Sequence, residues 1–361
     1  MSLSAVVWYG LITAAIVLAS LTTLHVVWRG VGLYRIRRAG PRPLRASHHR
    51  LWRDPAADDP LDLAGGPGGR AGAPVSPFTF LEEHATGSQP CVSVRDARGR
   101  RWRVKWGHEV NAEAFAVRLA FGCGYFAEVT HFVPAGTIQK ASGLRRASAC
   151  IDSDSGRFAD ARFELDDPAV NKLFEEHSWA WNDNPFVGTR ELSGLKILVM
   201  LLSNWDTKDR RDVARGSNTA IFEVRTGGRR PWGRHEAQYL ITDWGGAMGK
   251  WGANLATRGR WDAEGFTAQT PQFVTGVRDG IVEFGYAGQR TADIARDIPL
   301  EHVRWFHQIV SRLERAQIVA ALAASGASAD EQSLFADALI ARINQLGNAA
   351  IETAPAERRA G

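Results

Sequence analysis

Cysteine is scarce in this chain of 361 residues, and the three that occur, at positions 91, 123 and 150, share no CxxC spacing. The pattern therefore indicates neither a zinc site nor a disulfide framework. The stretch "GGPGGRA" contains a GxGxxA pattern, but no strand is predicted before it and no helix after it. It also lacks the GK[ST] of a P-loop. No nucleic-acid-binding motif occurs, and we expect no nucleic acid as partner.

Charged side chains are absent from Ala5 to Trp28. These 24 residues are enough to cross ~30 Å of hydrocarbon at ~1.5 Å per residue. Trp8 and Tyr9 mark one end, at a depth that aromatic rings prefer. A cleaved signal peptide is the alternative, but no Lys or Arg precedes the apolar run and no small-x-small site follows it. We therefore expect a transmembrane anchor within residues 1–38.

Arginine lies on one side only of this segment. None precedes it, and six follow it: Arg29, Arg35, Arg37, Arg38, Arg42 and Arg45. The positive-inside tendency predicts an external N-terminus and a cytoplasmic C-terminal domain. The expected location is the inner (cytoplasmic) membrane, with a single pass. Anionic lipid headgroups are the expected partners of Arg29, Arg35, Arg37 and Arg38.

Large apolar residues are few in residues 39–76, which are rich in Pro, Gly and Ala. Such a segment cannot bury enough surface to fold alone, so it is predicted to be a tether. The folded part begins near Phe78. Two helices are predicted near its end, the second introduced by the capping box "SADE" at Ser328. Residues 348–361 are expected to form a flexible tail.

A hairpin and a helix open the folded part. "CVSVRDARGRRWRVKW" contains two alternating runs around a polar turn, and Lys105 lies on the strand face opposite the Trp side chains. "EVNAEAFAVRLAFGCG" has helical apolar spacing and places Glu113 one turn into a helix. Both residues could be ordinary surface charges. A functional role for Lys105 and Glu113 is expected only if the protein binds an anion between the two lobes.

A polar segment, "SNWDTKDRRDVARGSNTAIF", separates the buried helix "LKILVMLL" from a second predicted hairpin. Asn218 stands before the first strand of that hairpin and Asp243 after the second. The start of one antiparallel strand adjoins the end of the other, so the two residues should meet. Asp206 lies on the loop that leads to the same end. Two carboxylates and an amide suit Mg²⁺ with phosphate, although Asp and Asn also favour ordinary turns.

The order of these residues resembles the protein kinase-like fold. The matching positions are Lys105, Glu113, Asp206, Asn218 and Asp243-Trp244-Gly245. In detail the chain is similar to the atypical branch, HipA-like and phosphoinositide-kinase-like, and to a membrane-anchored bacterial group within it. "TGSQP", Thr86 to Pro90, resembles the short nucleotide loop of HipA-like proteins. The likeness covers about residues 78 to 346.

This resemblance implies an α+β, bilobal fold preceded by a single transmembrane helix. The small β-rich N-lobe with one helix would be 77–165 and the larger helical C-lobe 166–347. It implies that Lys105 holds the phosphates of ATP and pairs with Glu113, and that Ser88 and Gln89 lie in the nucleotide loop. Asp206 would orient or deprotonate the acceptor. The remaining implied roles are a γ-phosphate contact for Lys208 and magnesium binding for Asn218 and Asp243.

The expected function is a membrane-tethered phosphotransferase that uses ATP and Mg²⁺ and has a protein acceptor. Two features keep alternatives open: Asn218 follows Asp206 by twelve residues, further than in the family, and no well-formed Gly-rich loop is present. The first alternative is a catalytically inactive kinase-like module that recruits a partner to the membrane. The second is nucleotidyl transfer on the same fold.

Overall fold

The computed structural model describes most of the chain from residue 46 onward. The ranges are 46–55, 61–85, 87, 89–166, 170–172, 178–206, 218–226, 234–252, 258–289 and 291–352, together with Thr13 and Ser20. Backbone contacts divide the chain into two units, Met1–Leu44 and Arg45–Gly361. All the elements described below belong to the second unit.

No helix in these ranges is both long and apolar enough to cross a bilayer. The longest described helix, Ala329–Glu352, carries Asp, Glu and Arg side chains along its length. Two expectations are therefore wrong: the kinase-like fold class with its preceding transmembrane helix, and the single-pass location in the inner membrane. The stretch Ala5–Trp28 lies outside the described residues except for Thr13 and Ser20. The arginines that follow it, Arg29, Arg35, Arg37 and Arg38, lie outside them as well.

The first half of the folded unit is a closed barrel of five strands, which is not part of the predicted fold class. Its strands are β2 (Phe78–Glu83), β3 (Cys91–Arg95), β4 (Arg101–Lys105), β5 (Thr130–Gln139) and β6 (Arg157–Leu165). They follow the order β2-β3-β4-β6-β5, and a parallel pair between β2 and β5 closes the ring. The predicted hairpin is confirmed as β3–β4, with Val94 opposite Trp102. Alternate residues such as Trp102 and Phe163 fill the interior.

The predicted helix is confirmed as α1 (Val110–Gly122), which follows β4. It is buried along nearly its whole length because it packs on the barrel and on the helices that come later in the chain. The side chain of Asn111 donates to the backbone oxygen of Ser325 over 2.9 Å. The helix therefore joins the barrel to the rest of the fold.

A four-stranded sheet forms a second layer. It contains β1 (His48–Arg50), β7 (Val170–Lys172), β8 (Thr219–Thr226) and β9 (Arg234–Ile241), in the order β1-β9-β8-β7. The second predicted hairpin is confirmed as β8–β9, with Thr219 opposite Ile241. Strand β1 runs parallel to β9, so a chain segment that precedes the barrel completes this sheet.

Helices make up most of the remainder. They are α2 (Arg190–Leu201), α3 (Ala263–Gln269), α4 (Thr291–Ala295), α5 (Leu300–Val310), α6 (Arg315–Ala323) and α7 (Ala329–Glu352), with a small hairpin of β10 (Val274–Arg278) and β11 (Ile281–Phe284). Helix α2 is buried on almost all sides, as its apolar sequence predicts. The predicted capping box is confirmed, since Ser328 and Glu331 exchange hydrogen bonds between side chain and backbone. Helix α7 extends to Glu352, past the predicted start of the flexible tail.

The segment expected to be a tether is packed where the structure describes it. Leu51 and Leu63 are buried, and the backbone oxygen of Ala64 accepts a hydrogen bond from Nε of Arg118. Gln317 of α6 donates to the backbone oxygen of Leu61. Residues 46–55 and 61–76 therefore belong to the folded unit because a few large apolar side chains anchor them.

Candidate functional site

The open end of the β8–β9 hairpin brings Asn218 and Asp243 together. The backbone N–H of Thr242 donates to the backbone oxygen of Asn218 over 3.0 Å. Asn218 is buried at this end, and Asp243 follows two residues after the last strand position. The convergence inferred from the sequence is thus a property of the hairpin register.

Asp206 lies at the same end. The side-chain amide of Asn218 donates to the backbone oxygen of Asp206, and Gln289 Nε2 lies 3.3 Å from Asp206 Oδ1. Asp243 Oδ1 accepts from the backbone N–H of Gly245 over 2.9 Å, which orients its carboxylate. Two carboxylates and one amide therefore occupy a single corner of the fold.

Asn204, which is not among the predicted site residues, connects these parts. Its Nδ2 donates to the backbone oxygen of Asp243 over 3.1 Å, and its own backbone oxygen accepts from the Tyr286 hydroxyl. Within the described part of the chain, the buried Oδ1 of Asn204 has no hydrogen-bond partner. A Cβ atom on Gly246 would lie 2.9 Å from that oxygen and 3.0 Å from the backbone nitrogen of Asp206. Only glycine fits there without displacing the loop.

Lys105 approaches this corner from the barrel. Arg162 on β6 lies directly opposite it in the strand register, and Cys91 lies opposite on the other side. The adjacent Arg162 guanidinium and partial burial lower the pKa of Lys105, while Glu164, Cys91 and Asp243 act in the other direction. The Lys105 ammonium is therefore within electrostatic range of Asp243. No carboxylate among the described residues forms an ion pair with Lys105.

Glu113 does not pair with Lys105, the partner that the resemblance implies. Its carboxylate binds Arg162, which also binds Glu164 over 3.0 Å. Arg162 is 3% exposed and presents a planar fork that can serve two carboxylates at once. The periodicity of β6 places Arg162 on the outer face of the barrel, but no sequence signal marks it as the partner of Glu113.

The loop between β2 and β3 adjoins Lys105. The Gln89 side chain packs on the turn after β4, because a Cβ atom on Gly107 would lie 2.3 Å from Gln89 Oε1. Glu83 accepts from the backbone N–H groups of residues 145, 146 and 147, and Arg146 donates to the backbone oxygen of Gly87. Two other predicted residues, Ser88 and Lys208, lie outside the described residues.

The donor set fits magnesium through oxygen atoms. Asp206 and Asp243 supply carboxylates and Asn218 an amide, and Mg²⁺ commonly takes one or two carboxylates together with phosphate and water. In the ranges that the structure describes, no group of three or more His, Cys, Asp or Glu side chains is placed to hold a metal. A divalent ion here would therefore depend on phosphate oxygens to complete its shell.

No protein-family model, curated protein or solved structure matches this chain. The kinase-like resemblance therefore depends on the order of Lys105, Glu113, Asp206, Asn218 and Asp243 along the sequence, and it stays a prediction.

Proposed function

We propose that this protein is an ATP- and Mg²⁺-dependent phosphotransferase with a protein acceptor. One observation supports the proposal: the Asp243 carboxylate at the hairpin end acts electrostatically on the Lys105 ammonium of the barrel. Lys105 has no ion-pair partner among the described residues. The Lys105 ammonium is therefore suited to bind the phosphates of a nucleotide, while the Asp243 carboxylate would bind the metal ion that accompanies them.

Each residue of the site would have the role that its chemistry allows. Lys105 would bind the phosphates of the nucleotide, while Asp243 and Asn218 would hold Mg²⁺. When bound, that ion neutralises charge on the phosphates. Asp206, from the adjacent loop, would orient the acceptor hydroxyl and accept its proton. Phosphoryl transfer needs little covalent help from the protein, so positioning and charge provide most of the catalysis.

Nucleotide binding is the first prediction. A ligand that binds only the folded state stabilises it by ~2.7 kcal/mol at a hundred times its dissociation constant, so MgATP should raise the melting temperature. Asp243→Asn should remove the magnesium dependence of the shift. Differential scanning fluorimetry with ATP, with and without magnesium, measures both effects.

The matched control is Asp154→Asn, which alters an exposed carboxylate before β6 and should keep the full shift. Absence of a shift at millimolar MgATP in the wild type would exclude phosphotransfer from ATP. An Asp243→Asn shift equal to that of the wild type would remove Asp243 from the metal site.

The second prediction separates an enzyme from an inactive binding module. Asp206 would act on the acceptor, and an interaction made only in the transition state changes kcat and not ground-state affinity. Asp206→Asn should therefore keep the affinity for MgATP and lower phosphoryl transfer by ~10²-fold or more, the scale of a lost general base. Affinity is measured by isothermal titration and transfer with labelled ATP. Unchanged transfer in the variant would show that Asp206 is not catalytic, and MgATP binding without transfer in the wild type would favour the binding module.

A further inference from the structure

Arg258 lies over two tryptophan rings next to the proposed site. Its guanidinium carbon is 4.1 Å from the Trp251 ring centre and 5.1 Å from that of Trp205. Trp205 immediately precedes Asp206 in the chain. A guanidinium that is stacked in this way keeps its edge free for hydrogen bonds in the plane of the group.

The backbone holds this arrangement in place. Lys250 and Gly259 form a two-way antiparallel bridge, with N–H to oxygen distances of 2.8 and 3.1 Å. Trp251 and Arg258 are the next residues on the two sides of that bridge, which explains their contact. Both backbone polar groups of Trp251 are bound by the side chain of Gln269. The guanidinium is therefore preorganised on its rings.

Among the residues that the structure describes, most of the donor capacity of Arg258 is unused. In the described part of the chain its guanidinium makes one hydrogen bond, from Nε to the backbone oxygen of Gly252 over 3.1 Å, and no ion pair. The nearby Arg260 differs, because it pairs with Glu109. Glu109 in turn adjoins the Asp243-Trp244-Gly245 turn, since a Cβ atom on Gly245 would lie 2.7 Å from Glu109 Cγ. Arg258, which pairs with no carboxylate of the described ranges, thus lies beside the site.

We propose that Arg258 binds an acidic group of the acceptor, so that the acceptor is a peptide segment with a carboxylate or phosphate near its reacting hydroxyl. This inference rests on the proposed function. The planar fork of arginine matches both anions through paired N–H donors. Its stacking on Trp205, the residue before Asp206, puts the anion close to the group that would orient the hydroxyl.

A purely structural role predicts something different. Arg258 covers the buried Trp205, and a long apolar side chain would do the same. Arg258→Met keeps this cover and removes the charge and the donors. Arg190→Met is the matched control because Arg190 also lies over a tryptophan, Trp305 at 5.2 Å. It stands at the start of α2, ~18 Å of helix away from the end that leads to Asp206.

The experiment uses the full chain and four synthetic peptide libraries. Each library has a central Ser, Thr or Tyr in neutral flanks, and they differ in a fixed neighbouring residue: Asp, phosphoserine, Ala or Lys. Binding is measured by fluorescence anisotropy with MgADP present, and transfer is measured with labelled ATP. The Asp and phosphoserine libraries distinguish a carboxylate from a phosphate as the anion. Melting curves for each variant verify that it is folded.

We expect the wild type and Arg190→Met to prefer an acidic library over the Ala library by about tenfold or more, the scale of a charge-assisted hydrogen bond. Arg258→Met should lose the preference, and Arg258→Lys should keep part of it. The proposal is overturned if the wild type binds and labels all libraries alike or none, or if Arg258→Met keeps its preference.

The two proposals can fail separately. An acidic preference without any MgATP effect would refute phosphotransfer and leave the acidic site in place. A MgATP effect with phosphoryl transfer, but without the acidic preference, would support phosphotransfer and refute the acidic site.

Discussion

Arg162 holds two buried carboxylates side by side at the outer face of the barrel. It binds Glu113 from α1 and Glu164 from its own strand, and it lies opposite Lys105. Like charges directly opposite each other on a sheet repel. The carboxylates of Glu113 and Glu164 offset this repulsion between Lys105 and Arg162. The consequence for the site is that Glu113 is occupied by Arg162 and, among the described residues, forms no ion pair with Lys105.

Removal of Arg162 should therefore be costly. Arg162→Met would leave Glu113 buried without its ion-pair partner and would remove one partner of Glu164, and breaking a buried ion pair typically costs ~3–5 kcal/mol. Urea unfolding should show a loss of that order in the free energy of unfolding. Adding Glu113→Gln to the same chain should recover part of it, because one uncompensated charge is removed.

Arg103→Met provides the comparison for this prediction. Arg103 lies 4.0 Å from Glu164 but is partly exposed to solvent, so its loss should cost no more than ~1 kcal/mol. Equal losses for Arg103→Met and Arg162→Met would show that the buried network contributes no more to stability than the partly exposed pair.

At the scale of elements, the close fit between the end of α1 and the segment before the barrel explains why that segment is ordered. Gly124 has a φ of 88°, and a Cβ atom there would lie 2.3 Å from the backbone oxygen of Arg53. Arg53 and Gly124 share a backbone hydrogen bond of 2.9 Å, and Trp52 Nε1 donates to the backbone oxygen of Cys123 over 2.8 Å. The segment thus caps the helix end through glycine-dependent contacts.

Gly124→Ala tests this packing. The left-handed backbone alone costs ~1–2 kcal/mol for a residue with a side chain, and the overlap with Arg53 should add ~1–3 kcal/mol. Gly99→Ala isolates the first part, because Gly99 has a φ of 80° and a Cβ atom there would have no neighbour within 4 Å. Chemical denaturation should show a clearly larger loss for Gly124→Ala. Equal losses would mean that the segment is not packed there.

Local patterns predicted the elements that depend on local rules. Alternation around a short turn identified the two hairpins, β3–β4 and β8–β9, and helical spacing identified α1. The meeting of Asn218 with Asp243 followed from hairpin geometry, which needs no knowledge of the rest of the fold. The site could be sketched to this extent because its corner is built by one hairpin.

What the sequence could not predict depends on residues far apart in the chain. The parallel pair that closes the barrel between β2 and β5 has no local signature. Glu113 could have been matched to either of two neighbouring cations, and only the packing of α1 selects Arg162. The ordering of residues 46–55 depends on contacts with Cys123, Gly124 and β9 that composition does not reveal.

For the whole molecule, stability should depend on pH through His131. Burial, together with Arg118 and Arg100, lowers the pKa of His131 to about 4, from an ordinary value of 6.5. The unfolded chain therefore takes up a proton below pH 6.5 that the folded protein does not accept until about pH 4. Stability is lost as the pH falls through this window, by ~3 kcal/mol in total at ~1.4 kcal/mol per unit.

Urea unfolding at a series of pH values measures this effect. His131→Leu should flatten the curve between pH 6.5 and 4, because leucine takes up no proton in the unfolded state. His108→Leu, at an exposed position, should keep the wild-type slope. A slope that is unchanged in His131→Leu would assign the acid sensitivity to other groups.

The parallel pairing of β1 with β9 has a consequence for biosynthesis. His49 reaches its partner Tyr239 only 190 positions later in the chain. At a translation rate of ~5–20 residues per second, the first strand therefore waits ~10–40 s for its neighbour to leave the ribosome. In the later part of that interval the barrel can already close, since β2 to β6 are complete by residue 165. The barrel strands are thus all synthesised before β9, so β1 can join its sheet only after the barrel has had the opportunity to close.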